Sequence, residues 1–136
     1  MKIDGKVLDD LSSLARKNLR LRQHLDLRTT TEDGSQRMLN AMEPNTIMPI
    51  HRHPYTSESM VIIRGKLLEK LYDDEGNITD EFIMEPGGEY PMIQIPAGQW
   101  HSLEVLVSGT VVFEAKDGMY MPLVEDDIMV INEVSA

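Results

Sequence analysis

Cysteine is absent from the chain, so neither a disulfide framework nor thiolate chemistry is available, and a reducing compartment suits it. Long apolar runs are missing as well. Met1 leads into Lys2, Ile3 and Asp4, and apolar stretches elsewhere last only a few residues. Neither a signal peptide nor a membrane span is therefore expected, and the chain is read as cytoplasmic. Basic residues are scarce: 13 Lys and Arg stand against 23 Asp and Glu, for a formal net charge of −10. A surface of that sign repels phosphate backbones, which removes nucleic acid from the expected partners. The acidic excess is read mainly as solvated surface that keeps the protein in solution.

What remains is enough for one domain. At 136 residues, 41% hydrophobic and 26% charged, the chain can bury a core without staples. Val7, Leu8, Leu11, Leu14 and Ala15 recur at the spacing of one helical face, with Asp4 placed to cap the start. Such a helix must pack on something, and it is expected to close the end of a barrel. From Leu21 to Gly34 the pattern is lost and a loop is expected, so residues 1–34 are read as a helix and connecting loop packed on the rest.

Residues 35–136 read as short strands punctuated by turn chemistry, ending in a mixed tail from Asp117 to Ala136. The predicted strands are 37–42, 47–53, 58–63, 67–73, 78–84, 92–95, 101–107 and 110–116. Turn signals separate them, among them Glu43-Pro44-Asn45, Arg64-Gly65-Lys66, Asp74-Glu75-Gly76-Asn77 and Pro96-Ala97-Gly98. Short strands at regular spacing after a single helix predict an all-β antiparallel sandwich or jelly roll.

Three of the four histidines stand in one arrangement. His51 and His53 are i and i+2 on a predicted strand, so both point to one face, about 6.5–7 Å apart along the backbone. Two imidazoles so placed can converge on one ion at about 2.1 Å from each nitrogen. Pro54 ends the strand after the second of them. Glu58 lies an odd number of residues further on, and Pro54-Tyr55-Thr56-Ser57 is the loop that lets it face inward too. Its carboxylate is the hard partner to the imidazoles. Pro96-Ala97-Gly98-Gln99-Trp100-His101 is a turn that delivers a further histidine to the start of a strand.

In this order, and preceding Gly65, the segment from His51 resembles the first cupin motif, and Pro96 to His101 resembles the core of the second. The resemblance implies a cupin β-barrel and assigns His51, His53, Glu58 and His101 as ligands of one divalent transition metal: iron, manganese, zinc, nickel or cobalt. Asn45, Tyr90 and Val105 stand where the general pattern has glycine, glycine and asparagine. Asparagine is the residue next best suited to a left-handed turn, so Asn45 is expected to serve there.

The amino-terminal helix, Gln36-Arg37-Met38-Leu39-Asn40-Ala41, Glu43-Pro44, His51-Arg52-His53-Pro54, Pro96 to His101 and Phe113-Glu114-Ala115-Lys116 together resemble the WbuC family of small cupin metalloproteins. That family is associated with bacterial surface-polysaccharide gene clusters. Glu114 and Lys116 share one face of a late strand, and the resemblance favours a buried acid–base pair beside the metal over an exposed ion pair. Tyr55 is a further proton-transfer candidate. Arg37, Asn40 and Tyr120 are candidate contacts to a polar or anionic ligand. Trp100 is expected to pack in the core, and the ten methionines to fill it.

The leading expectation is a metal-dependent protein acting on a small-molecule ligand, a sugar, sugar nucleotide or other polar metabolite. The metal would be the Lewis acid of an isomerase- or epimerase-like reaction. An iron-dependent dioxygenase and a non-catalytic ligand-binding module are the alternatives, so whether the chain is an enzyme stays open. A homodimer is expected, since pairing covers a sheet edge.

Overall fold

The computed structural model describes residues 1–130. The helix α1, Gly5–Lys17, begins where Asp4 accepts the Val7 backbone N–H at 3.1 Å, and Arg16 and Lys17 favour its carboxyl end. Ten strands follow: β1 Arg22–Asp26, β2 Ser35–Met42, β3 Ile50–His51, β4 Glu58–Arg64, β5 Leu67–Tyr72, β6 Ile78–Met84, β7 Met92–Ile95, β8 Trp100–Val105, β9 Thr110–Asp117 and β10 Ile128–Met129. They form two antiparallel sheets, β1-β2-β9-β4-β7 and β10-β3-β8-β5-β6. This is the jelly roll expected, as two facing sheets and not a closed barrel. None of the described helices is long and apolar enough to cross a membrane.

The alternation of β2 and β9 builds two cores. Leu39, Ala41 and Val111 face outward onto Leu8, Leu11 and Ala15 of α1. Each buried leucine there contributes ~2 kcal/mol. The helix thus covers the outer face of the first sheet and does not close a barrel end. Leu14, expected on its buried face, is exposed. Met42 and Val112, with Met60, Ile62, Leu67, Met84 and Val105, fill one half of the space between the sheets. The other half is left open as a cavity of about 500 Å³.

Two further expectations are corrected. Residues 22–26 are not loop but the edge strand β1, paired with β2 from Arg22↔Met42 to Asp26↔Met38. The alternation was hidden because the inward positions Arg22 and His24 are polar and line the cavity, leaving only Leu25 to mark the other face. The histidine strand is short: β3 is Ile50–His51, and His53 stands in the following loop. The described part of the tail joins the second sheet. A 3₁₀ turn at Glu125–Asp127 leads into β10, which pairs with β3, while 131–136 lie outside the described residues.

Two left-handed residues hold the scaffold where the sequence placed them. Asn45 adopts φ +74° in the turn after β2. Gly65 adopts φ +85° between β4 and β5, and a Cβ there would meet the Thr110 Oγ1 at 2.2 Å and its Cα at 2.6 Å. Only glycine satisfies both demands.

Candidate metal centre

His51 on β3 stands opposite His101 on β8, and Leu71 of β5 stands on the other side of His101. His53 joins them through its loop, which is fixed to the second histidine's turn: the Gly98 N–H donates to the His53 carbonyl at 2.8 Å. Gly98 can present that N–H because it adopts φ +83°. The turn is held further by the Gln99 side-chain amide, which donates to the Tyr72 and Trp100 carbonyls, each at 2.9 Å. Trp100 is buried as expected. Its indole N–H donates to Asp74, and the Arg52 guanidinium lies 4.5 Å from its ring centre.

The one donor atom available on each of His51, His53 and His101 lies within 4.8 Å of the others. Glu58 enters from the facing sheet, its Oε2 3.4 Å from His53 Nε2 and 3.6 Å from His101 Nε2. Two donors about 2.1 Å from a shared ion stand roughly 3.0–3.5 Å apart at right or tetrahedral angles, so these separations suit an ion.

The protonation pattern fits as well. His51 Nδ1 lies 2.8 Å from the Pro49 carbonyl, and His101 Nδ1 lies 2.9 Å from the Gln99 carbonyl. A carbonyl only accepts, so both Nδ1 atoms carry the hydrogen and both Nε2 atoms are bare lone pairs. The His101 lone pair faces the Glu58 Oε2 at 3.6 Å, and that oxygen is buried with no hydrogen-bond partner. Acceptors crowded in this way need a cation between them. Burial, and then the charge of His101, hold the His51 pKa down at about 4, so this imidazole is neutral and ligand-ready at pH 7. Burial raises the Glu58 carboxyl, and in the metal-free chain a proton on His101 or His53 more than offsets it, the role that a bound cation would take.

Glu114, Lys116 and Asn40 line the cavity beside these residues, and Tyr120, half exposed, stands at its wall. Burial, and then the charge of Glu58, push the Glu114 carboxyl up to about 8. Burial lowers the Lys116 pKa from its ordinary value. The structure does not bring Arg37 or Tyr55 to the cavity. Arg37 has the odd phase of β2, points away from the interior and pairs with Asp33 at 2.9 Å. Tyr55 is 92% exposed, because the Pro54–Ser57 loop that turns Glu58 inward carries it outward.

Sequence reasoning missed Glu69. It is fully buried on the inward phase of β5, lines the cavity, and has no hydrogen-bond partner on either oxygen. Burial, then the charges of Glu58 and Glu114, raise its pKa. The signal was present in Leu67-Leu68-Glu69-Lys70-Leu71, where the glutamate shares the phase of the buried Leu67.

Among solved structures, the chain is similar to the cupin domain of Schizosaccharomyces pombe Cnp3, with 14% identity, a TM-score of 0.57, and 71% of this chain and 64% of that one covered. It is also similar to CapF of Staphylococcus aureus, a capsular polysaccharide assembling protein, with 21% identity, a TM-score of 0.63, and 77% and 30% covered. A third is the Bacillus subtilis oxalate decarboxylase OxdC, whose structure is described through its Mn(II) centres, with 18% identity, a TM-score of 0.56, and 79% and 27% covered. The chain thus spans less than two thirds of each of these proteins, and the likeness establishes the cupin fold. No curated protein matches it in sequence. Residues 3–84 match a family described as Domain of unknown function (DUF6016), and with more than half its length inside that match the chain belongs to this family.

Proposed function

We propose that the chain holds one divalent transition ion on His51, His53, Glu58 and His101. It acts on a sugar, sugar nucleotide or other small polar metabolite in an isomerase- or epimerase-like reaction. The observation that carries this is the cluster of three histidine donor atoms beside an unpartnered, buried Glu58 oxygen at the wall of a cavity. When bound, the ion supplies a Lewis acid that polarises a carbonyl or hydroxyl oxygen.

The chain's own residues supply the rest. The Pro49 and Gln99 carbonyls fix the tautomers of His51 and His101. Glu114, on the facing sheet with a carboxyl titrating near neutrality, is placed to hold or release a proton at its carboxyl oxygen. Met48, Met60 and Leu103 exclude water from the inner wall. The likeness to CapF and the resemblance to the WbuC family support a setting in bacterial surface-polysaccharide metabolism. A cytoplasmic homodimer belongs to the same proposal.

Proton NMR in deuterium oxide tests the chemistry. The metal-loaded chain is incubated with a panel of nucleoside diphosphate sugars, and a Lewis-acid isomerase exchanges a carbon-bound hydrogen for deuterium. Glu114→Gln is expected to lose that exchange while keeping the metal. Oxygen uptake by the iron(II)-loaded chain without exchange would move the function to a dioxygenase.

A further inference from the structure

A cation at the histidines leaves the Glu69 carboxyl without a partner. This residue is wholly buried, both of its oxygens are unsatisfied, and it lines the cavity. The register fixes its place. Glu69 stands opposite Leu103, one pleat repeat inward of Leu71, which stands opposite His101. On the facing sheet, Glu114 is one repeat inward of Lys116, which stands opposite Glu58. Glu69 and Glu114 therefore form a floor beneath the metal centre, one from each sheet.

Three cationic side chains also stand along the cavity, beside the carboxyls of Glu58, Glu69 and Glu114. Arg20, Arg22 and Lys116 line it, and among the described residues none of them is ion-paired. Arg22 spends a guanidinium N–H on the Met48 sulfur at 3.7 Å, a weak acceptor. Unpaired cations beside a cavity call for an anion. An unsatisfied carboxyl at its floor calls for a group that can both donate and accept, which a hydroxyl does whichever protonation state the carboxyl holds.

We propose that the ligand of this cavity is a small polyhydroxy acid, its carboxylate taken by Lys116 and Arg22 and a hydroxyl bound by the Glu69 carboxyl. The inference rests on the metal-centre proposal for the same cavity and narrows its substrate class. A neutral sugar leaves the cations unused, and a simple fatty acid leaves Glu69 unsatisfied.

Calorimetric titration of the metal-loaded full chain with D-erythronate, butyrate and erythritol tests it, metal content being read before any addition. D-erythronate is expected to bind the parent roughly tenfold or more tightly than either butyrate or erythritol, as the loss of one buried hydrogen-bonding or charged partner implies. Glu69→Leu is expected to abolish the preference over butyrate, and Glu69→Gln, which can still bond a hydroxyl, to retain part of it. A parent that takes up no metal overturns the metal proposal on which this one rests. A parent that holds metal yet binds D-erythronate no better than butyrate overturns the ligand assignment alone, and needs no variant to fold. Equal D-erythronate affinity in Glu69→Leu and parent removes Glu69 from the site.

Discussion

Replacing Glu69 by glutamine keeps the side chain's size and removes its ionisation. The parent's carboxyl is fully buried without a partner, and burial together with the charges of Glu58 and Glu114 raises its pKa from the ordinary 4.5. In the unfolded chain the same group titrates at the ordinary value. Above pH 4.5 the unfolded state releases this proton while the folded state keeps it, so the folded state binds more protons and stability falls as pH rises. Glu69 therefore contributes fully below its unfolded pKa and progressively less above it. The slope is at most about 1.4 kcal/mol per pH unit, a large share of an ordinary domain's stability. Glutamine carries no such dependence. Urea denaturation of metal-free parent and Glu69→Gln at pH 5, 6 and 7 should show the variant gaining on the parent as pH rises, by no more than about 1.4 kcal/mol for each unit. Glu114 titrates in both proteins, so its contribution largely cancels in the difference. Parallel stability profiles would refute the reasoning, because they would mean that Glu69 is ionised in the folded state or has found a partner.

Other perturbations probe the scaffold and the ligand set. Gly65→Ala forces an L side chain to φ +85° and drives its Cβ into Thr110. The expected loss is about 1–2 kcal/mol from the backbone and about 1–3 kcal/mol from the clash, read as a lower urea midpoint, and an unchanged midpoint would contradict the packing. Arg52→Ala removes the stacking on Trp100 and the half-exposed pair with Asp127, and should cost ~1–2 kcal/mol in thermal unfolding while leaving metal content intact. His51 has a folded pKa of about 4 against an unfolded 6.5, so the unfolded state takes up its proton first as pH falls. Metal-free protein should lose up to about 1.4 kcal/mol per unit between pH 6.5 and 4 on this account, and His51→Gln should flatten that slope.

The first cupin motif was readable from the order and spacing of His51, His53, Glu58 and Gly65. The loop before Glu58 turns that residue inward as expected, and the turn ending at His101 follows from proline and glycine, but β3 ends at His51, so His53 reaches the cluster from a loop and not from a strand. The fold class was readable from the turn signals, and the left-handed conformation at Asn45 matches the expectation for that residue. What stayed hidden is the polar interior. Period-2 alternation marks a strand only when one of its faces is apolar, and β1 turns Arg22 and His24 toward the cavity. The same habit of treating charged residues as surface concealed Glu69. Arg37 looks like a pocket residue because its guanidinium suits an anionic ligand, although its neighbour in phase, Leu39, faces the helix.

Metal content by mass spectrometry, on protein purified without an affinity tag or added metal, tests the central claim most directly. The measurement is made beside a His51→Ala, His53→Ala double variant. The convergence of His51, His53, His101 and Glu58 predicts about one equivalent of a transition metal in the parent and its loss in the variant. A parent that holds little metal and takes up none on dialysis against iron, manganese, zinc, nickel or cobalt would contradict it.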